Sequence, residues 1–147
     1  MAKRVPTRRI ILWIVTALVL VFIFGQSILP EDLSAEESGW FRTHIMEPLF
    51  GFVGLPTPSH QLVRKMAHVF EFAVLSALLM FCFRGKLLRC AFTAFTVAFL
   101  DESLQLLTAR GAQIQDVWVD LIGVALGTLI GFLLYKTAQR KHHRPTS

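Results

Sequence analysis

Four apolar stretches of about membrane-crossing length constrain this chain more than any other feature of its sequence. They cover residues 10–29, 59–83, 90–108 and 117–136. At a rise of about 1.5 Å per residue, a helix of each length approaches or exceeds the roughly 30 Å of a hydrocarbon core. Lipid offers the backbone no hydrogen-bond partner, so each stretch is expected to cross as an α-helix, which bonds to itself. The expected fold is all-α: one domain over 1–147, an integral membrane bundle of four transmembrane helices. Composition agrees, because 54 % of the 147 residues are hydrophobic, more than a soluble domain of this size hides from water.

The first stretch follows Lys3, Arg4, Arg8 and Arg9 and ends in the small-x-small pattern of Gly25 and Ser27, which also describes a signal peptide. Its apolar run is longer and bulkier than the roughly 7–15 residues of a signal core, so an uncleaved anchor is expected. The net charge of +5 does not indicate nucleic acid, since the basic residues flank apolar runs instead of alternating with aromatics; the partner they imply is the lipid bilayer.

Orientation follows from those flanks. Eleven of the 15 basic residues fall on one side of the four spans, in the N-terminus, in Arg84, Lys86 and Arg89, and in the tail 137–147 with Lys136. That side is expected to be cytoplasmic, with both termini inside. Cys82 and Cys90 lie next to it and are expected to be free thiols. The opposite side receives Arg42, Arg64, Lys65 and Arg110 with all 10 acidic residues, which points to work done outside the cytoplasm.

The outer loop 30–58 carries Ser34 and Glu37 at capping-box spacing, then Phe41, Ile45, Leu49 and Phe52 at helical spacing, opposite Arg42, Thr43 and Glu47. This predicts an interfacial amphipathic helix with Trp40 at the boundary, placed where it could act as a lid; a plain connecting loop is the alternative. Thr57, Pro58 and Ser59 predict the start of the second span, with a hydroxyl cap and a proline in the first turn.

The spans contain residues that lipid disfavours. A carboxylate at the centre of a membrane helix costs about 2.5–3.5 kcal/mol on insertion scales, so one without a task is expected to be absent. In the second span Arg64, His68 and Glu71 share a face; in the third Asp101 and Gln105 are one turn apart beside Glu102. Asp116 and Asp120 open the fourth, and Gly123, Gly127 and Gly131 continue that stripe inward. All lie near the outer interface, and the glycines allow a neighbouring helix to approach closely. His68, Glu71, Asp101, Glu102, Gln105 and Asp116 are therefore the candidate catalytic residues; Arg64, Lys65, Arg110 and Asp120 are the candidate ligand-binding residues. Plain interhelical hydrogen bonding by His68 and Glu71, and helix capping by Asp116, are the structural alternatives.

These residues resemble the signature of the VanZ-like family of bacterial membrane proteins, named for an accessory protein of teicoplanin resistance. One family motif is similar to Arg64-Lys65-x-Ala67-His68-x-x-Glu71-Phe72; another is similar to Asp101-Glu102-x-x-Gln105, followed by Arg110, Asp116 and Gly123. The family commonly has Asn or Asp where Asp120 stands. The match runs from about Arg64 to Gly131. The resemblance implies a bacterial cytoplasmic-membrane protein connected with the cell envelope or the glycopeptide response, and it carries no established reaction.

Two functions follow as expectations. In the first, an enzyme acts on an amphiphilic envelope substrate such as a lipid-linked precursor: Asp101 and Glu102 supply an acid beside a base, His68 moves a proton, and Arg64 or Arg110 holds an anionic headgroup. No cofactor is required by any recognised motif, although His68, Glu71 and Asp101 are plausible ligands for a divalent metal. In the second, the same pocket binds a lipid or lipoglycopeptide antibiotic without turnover. A transporter is disfavoured because Phe81, Phe83 and Phe92 leave no polar path through the cytoplasmic half.

Overall fold

The computed structural model describes residues 6–28, 39–107 and 116–142. Four helices in it are long and apolar enough to cross a membrane: α1 (Thr7–Ile28), α3 (His60–Cys82), α4 (Leu87–Leu107) and α5 (Asp116–His142). Between α1 and α3 a π-helical turn, Arg42–Met46, leads into the short helix α2 (Glu47–Val53). Ser34 and Glu37, the expected capping box, lie outside the described residues.

Local chemistry explains the boundaries. Ser59 caps α3, its hydroxyl accepting from the Leu62 N–H at 3.3 Å, while Pro58 precedes the cap instead of occupying the first turn. The Pro58 carbonyl accepts from Arg42 Nε at 3.1 Å, so this proline ties the outer segment to α3. The π turn is explained by Pro48: it has no N–H to give the His44 carbonyl, and its ring would press on that carbonyl in a regular helix. Widening the turn just before it, with the Glu47 N–H reaching the Arg42 carbonyl, relieves the conflict. Gly54 then ends α2 in the left-handed region at φ 73°. Helix α3 ends where the Gly85 N–H reaches back to the Met80 carbonyl at 2.9 Å, and the turn that follows needs positive φ at both Arg84 and Gly85.

The helices alternate up and down. The end formed by the C-termini of α1 and α4 and the N-termini of α3 and α5 carries the acids and is called the acidic end; Arg84, Lys86 and Arg89 mark the basic end. Parallel helices α3 and α5 make the tightest pair. A methyl group built on Gly127 would fall 2.6 Å from Ala73 Cα, and one on Gly131 would fall 2.8 Å from Ala77 Cα. Small residues thus face each other on both helices, and the backbones touch in the manner that drives helix association in lipid.

The interior centres on Ile23, Phe72, Leu75, Met80, Cys90, Ala94 and Ala98. Outside it, Val21, Phe70, Phe92, Phe99 and Leu133 stand exposed, an apolar surface that suits lipid and not water. On the outer segment Phe41, Ile45, Leu49 and Phe52 are likewise exposed, Phe52 to 92 %, while Arg42, Met46, Glu47 and Phe50 are more covered. The amphipathic character is present, with the apolar stripe turned away from the bundle as an interfacial helix requires. At the basic end Cys82 and Cys90 are free and buried. Cys82 pairs with Thr16 Oγ1 at 3.4 Å, and Cys90 donates to the Ser76 carbonyl at 3.2 Å.

Candidate functional site

At the acidic end the helices bring together side chains that lipid would reject singly. His68 on α3, Asp101 and Glu102 on α4, and Asp120 on α5 each offer one donor atom, and the four atoms lie within 4.8 Å of one another. Asp101, Glu102 and Asp120 are 1 %, 3 % and 0 % exposed. The glycine contact explains why Asp120 arrives there: Gly123 is packed against Val69, one residue beyond His68, and Asp120 is three residues before Gly123 on the same stripe.

Each acid is held differently. Asp101 accepts from Gln105 Nε2 at 2.9 Å, one turn along α4, and from the hydroxyl of Ser27 on α1. The Ser27 hydroxyl also lies 3.0 Å from the Ile23 carbonyl, and its single proton serves one acceptor at a time. Asp120 Oδ1 sits 3.2 Å from His68 Nδ1, close enough for an ion pair but out of line for a hydrogen bond. Glu102 has neither: among the described residues, both of its carboxylate oxygens are buried without a hydrogen-bond partner. Nearer the surface, Asp116 pairs with Lys65 Nζ at 3.2 Å, forming a charged rim one turn before Asp120.

The predicted residues thus separate by position. His68, Asp101, Glu102 and Asp120 form the centre, Gln105 supports it through Asp101, and Lys65 and Asp116 form the rim. Asp120, expected among the ligand-binding residues, is one of the most deeply buried groups in the cluster. Glu71 and Arg64 are both half-buried on α3 and stand outside the group of four; among the described residues Arg64 forms no ion pair with an acid. Arg110 lies outside the described residues. Sequence spacing marks Ser27 only as part of a cleavage pattern and misses its contact with Asp101; the available signal is its depth, in the last turn of α1 level with the acids.

A His beside a carboxylate, with two further acids within reach, can take up, hold and pass on protons. One imidazole nitrogen and three carboxylates are also a donor set for a divalent ion.

The family comparison decides what kind of protein carries this arrangement: the VanZ/LLP1 family profile matches residues 11–136, most of the chain and all four long helices in whole or large part. The chain belongs to the VanZ/LLP1 family. It is also similar to YwnJ of Bacillus subtilis (strain 168), an uncharacterized membrane protein, with 37 % identity over 79 residues. That alignment covers 54 % of this chain and 53 % of YwnJ, so the chain spans about half the length of the curated relative it matches. No solved structure gives a significant match.

Proposed function

We propose that this VanZ/LLP1 protein resides in the bacterial cytoplasmic membrane with both termini inside, and that its acidic end faces outward and performs acid–base chemistry on an amphiphilic envelope component. The carrying observation is the meeting of half-buried His68 with buried Asp101, Glu102 and Asp120 from three helices. Their combined insertion cost greatly exceeds what one interhelical hydrogen bond returns, about 0.6 kcal/mol on average in membrane helices.

In this reading Asp120 orients the imidazole of His68, which accepts a proton from the ligand's headgroup. Glu102 takes or returns the second proton, and Asp101, fixed by Gln105 and Ser27, holds the local charge. Lys65 at the rim recognises an anionic headgroup, while the exposed apolar surface of Phe70 and Phe99 leaves the acyl chains in lipid. A lipid-linked precursor and a lipoglycopeptide such as teicoplanin both present this combination of polar head and acyl tail.

Deletion of the chromosomal copy and complementation with wild type, His68→Gln or Asp101→Asn tests the reading through teicoplanin susceptibility and the profile of extracted envelope lipids. The wild type is expected to restore both readouts and the two variants to restore neither while reaching the membrane in equal amount. Full complementation by both variants would overturn it. Loss of lipid turnover with retained binding of the same lipid in detergent assigns catalysis; retention of both the phenotype and binding by Asp101→Asn instead assigns a binding protein without turnover.

A further inference from the structure

We propose that His68, Asp101, Glu102 and Asp120 bind one divalent metal ion of the hard-to-borderline class, such as Mn2+ or Zn2+. This site is independent of the identity of the envelope ligand; with the ion bound, His68 and Glu102 are its ligands, and the proton roles given to them above belong to the ion-free protein. Glu102 is 3 % exposed, and among the described residues its two oxygens meet no hydrogen-bond donor although Asp101 and Asp120 are both in the same cluster. Buried charges in proteins are paired or coordinate metals. Among the described residues, the Lys65 ammonium is engaged with Asp116 at the rim, and the group of the cluster that can become a cation is His68, which faces Asp120. Within the cluster, even a protonated His68 against three carboxylates leaves two negative charges to be answered by protons or by an ion.

Geometry favours the ion. Ligand atoms bound tetrahedrally at about 2.0–2.2 Å to a common Zn2+ lie about 3.3–3.6 Å apart, and the four donor atoms lie within 4.8 Å of one another, so an ion would draw them together by about 1 Å. The donors are one nitrogen and three oxygens, which suits Mn2+, Zn2+ or Fe2+ and disfavours the thiolate-seeking ions. Around them is the support that such sites require: Gln105 and Ser27 hold Asp101 in orientation. A dication bound to neutral His68 and three carboxylates reduces the buried charge to one.

The full chain, purified in detergent, stripped with EDTA and dialysed, is to be titrated with Mn2+ while free ion is followed by its paramagnetic resonance signal and bound ion by elemental analysis. One ion per chain is expected, with Glu102→Gln and Asp120→Asn each weakening affinity at least about tenfold and Lys136→Ala leaving it unchanged. A parallel titration with Zn2+ covers an ion that Mn2+ replaces poorly. Binding far below one ion per chain with both metals, or unchanged affinity in both site variants, would overturn the proposal. Thermal unfolding of the wild type needs no variant: its midpoint is expected to rise with ion concentration, and a midpoint indifferent to Mn2+ and Zn2+ counts against the site. A chain that binds Mn2+ while His68→Gln and Asp101→Asn both restore teicoplanin susceptibility and the lipid profile in full keeps the metal site and loses the envelope reading.

Discussion

Single side chains carry most of the tension in this molecule. Glu102 is a buried carboxylate without a donor among the described residues, near Asp101 and Asp120, so its charge is opposed by both desolvation and repulsion. Glu102→Gln is therefore expected to stabilise the metal-stripped protein, by about 1–3 kcal/mol, and to destabilise it relative to wild type at saturating Mn2+. Thermal unfolding in detergent with EDTA or with Mn2+ reads the sign in each condition, and the same sign in both contradicts the assignment. Ser27 makes the converse case, since Ser27→Ala removes a donor to Asp101 and is expected to destabilise by about 1–3 kcal/mol, an effect that Ser103→Ala, whose hydroxyl bonds only locally to the Phe99 carbonyl, should not show. The periodic acids are legible in the sequence because each interrupts an apolar run and shares a helical face with other polar groups. Ser27 is not, because one hydroxyl in a membrane helix is inexpensive when it bonds to its own preceding turn. Its partner on another helix leaves no trace in local spacing.

At the scale of elements, packing between α3 and α5 determines where the acids sit. Gly127 meets the Ala73 backbone so closely that an added methyl would fall 2.6 Å from its Cα, and backbone cannot move aside as a flexible side chain can. Gly127→Ala is expected to cost about 1–3 kcal/mol through overpacking, whereas Leu129→Ala, on the exposed lipid-facing side, should change little; denaturation in mixed micelles compares them. Equal effects would mean that the two helices do not touch as described. The four long helices are readable from length and hydropathy, and the small-residue stripe identifies a close contact. What the stripe cannot identify is the partner, because Val69, Ala73 and Ala77 carry no mark of their own in a helix rich in small apolar residues. The π turn before Pro48 is similarly hidden, since spacing arguments assume a regular period of 3.6 residues that the proline interrupts.

The whole molecule is divided between a basic end, where the buried thiols have partners, and an acidic end with unsatisfied carboxylates. In the proposed orientation the acidic end faces outward. In a background with Cys82 and Cys90 replaced by Ala, Phe52→Cys, at an exposed position of α2, is expected to react with a membrane-impermeant maleimide on intact cells, and Lys86→Cys only after permeabilisation. The reversed pattern would place the cluster on the cytoplasmic side. Charge asymmetry suggests this division from the sequence alone, whereas the position of Arg42, bound to the Pro58 carbonyl and Glu47, follows only from the tertiary path of the chain. Costly groups from separate helices form one interacting unit, and a double-mutant cycle of His68→Gln and Asp120→Asn measures that most directly. Unfolding free energies of the four proteins should show a coupling of about 0.5–3 kcal/mol; strict additivity, with no coupling between α3 and α5 at this pair, would contradict it.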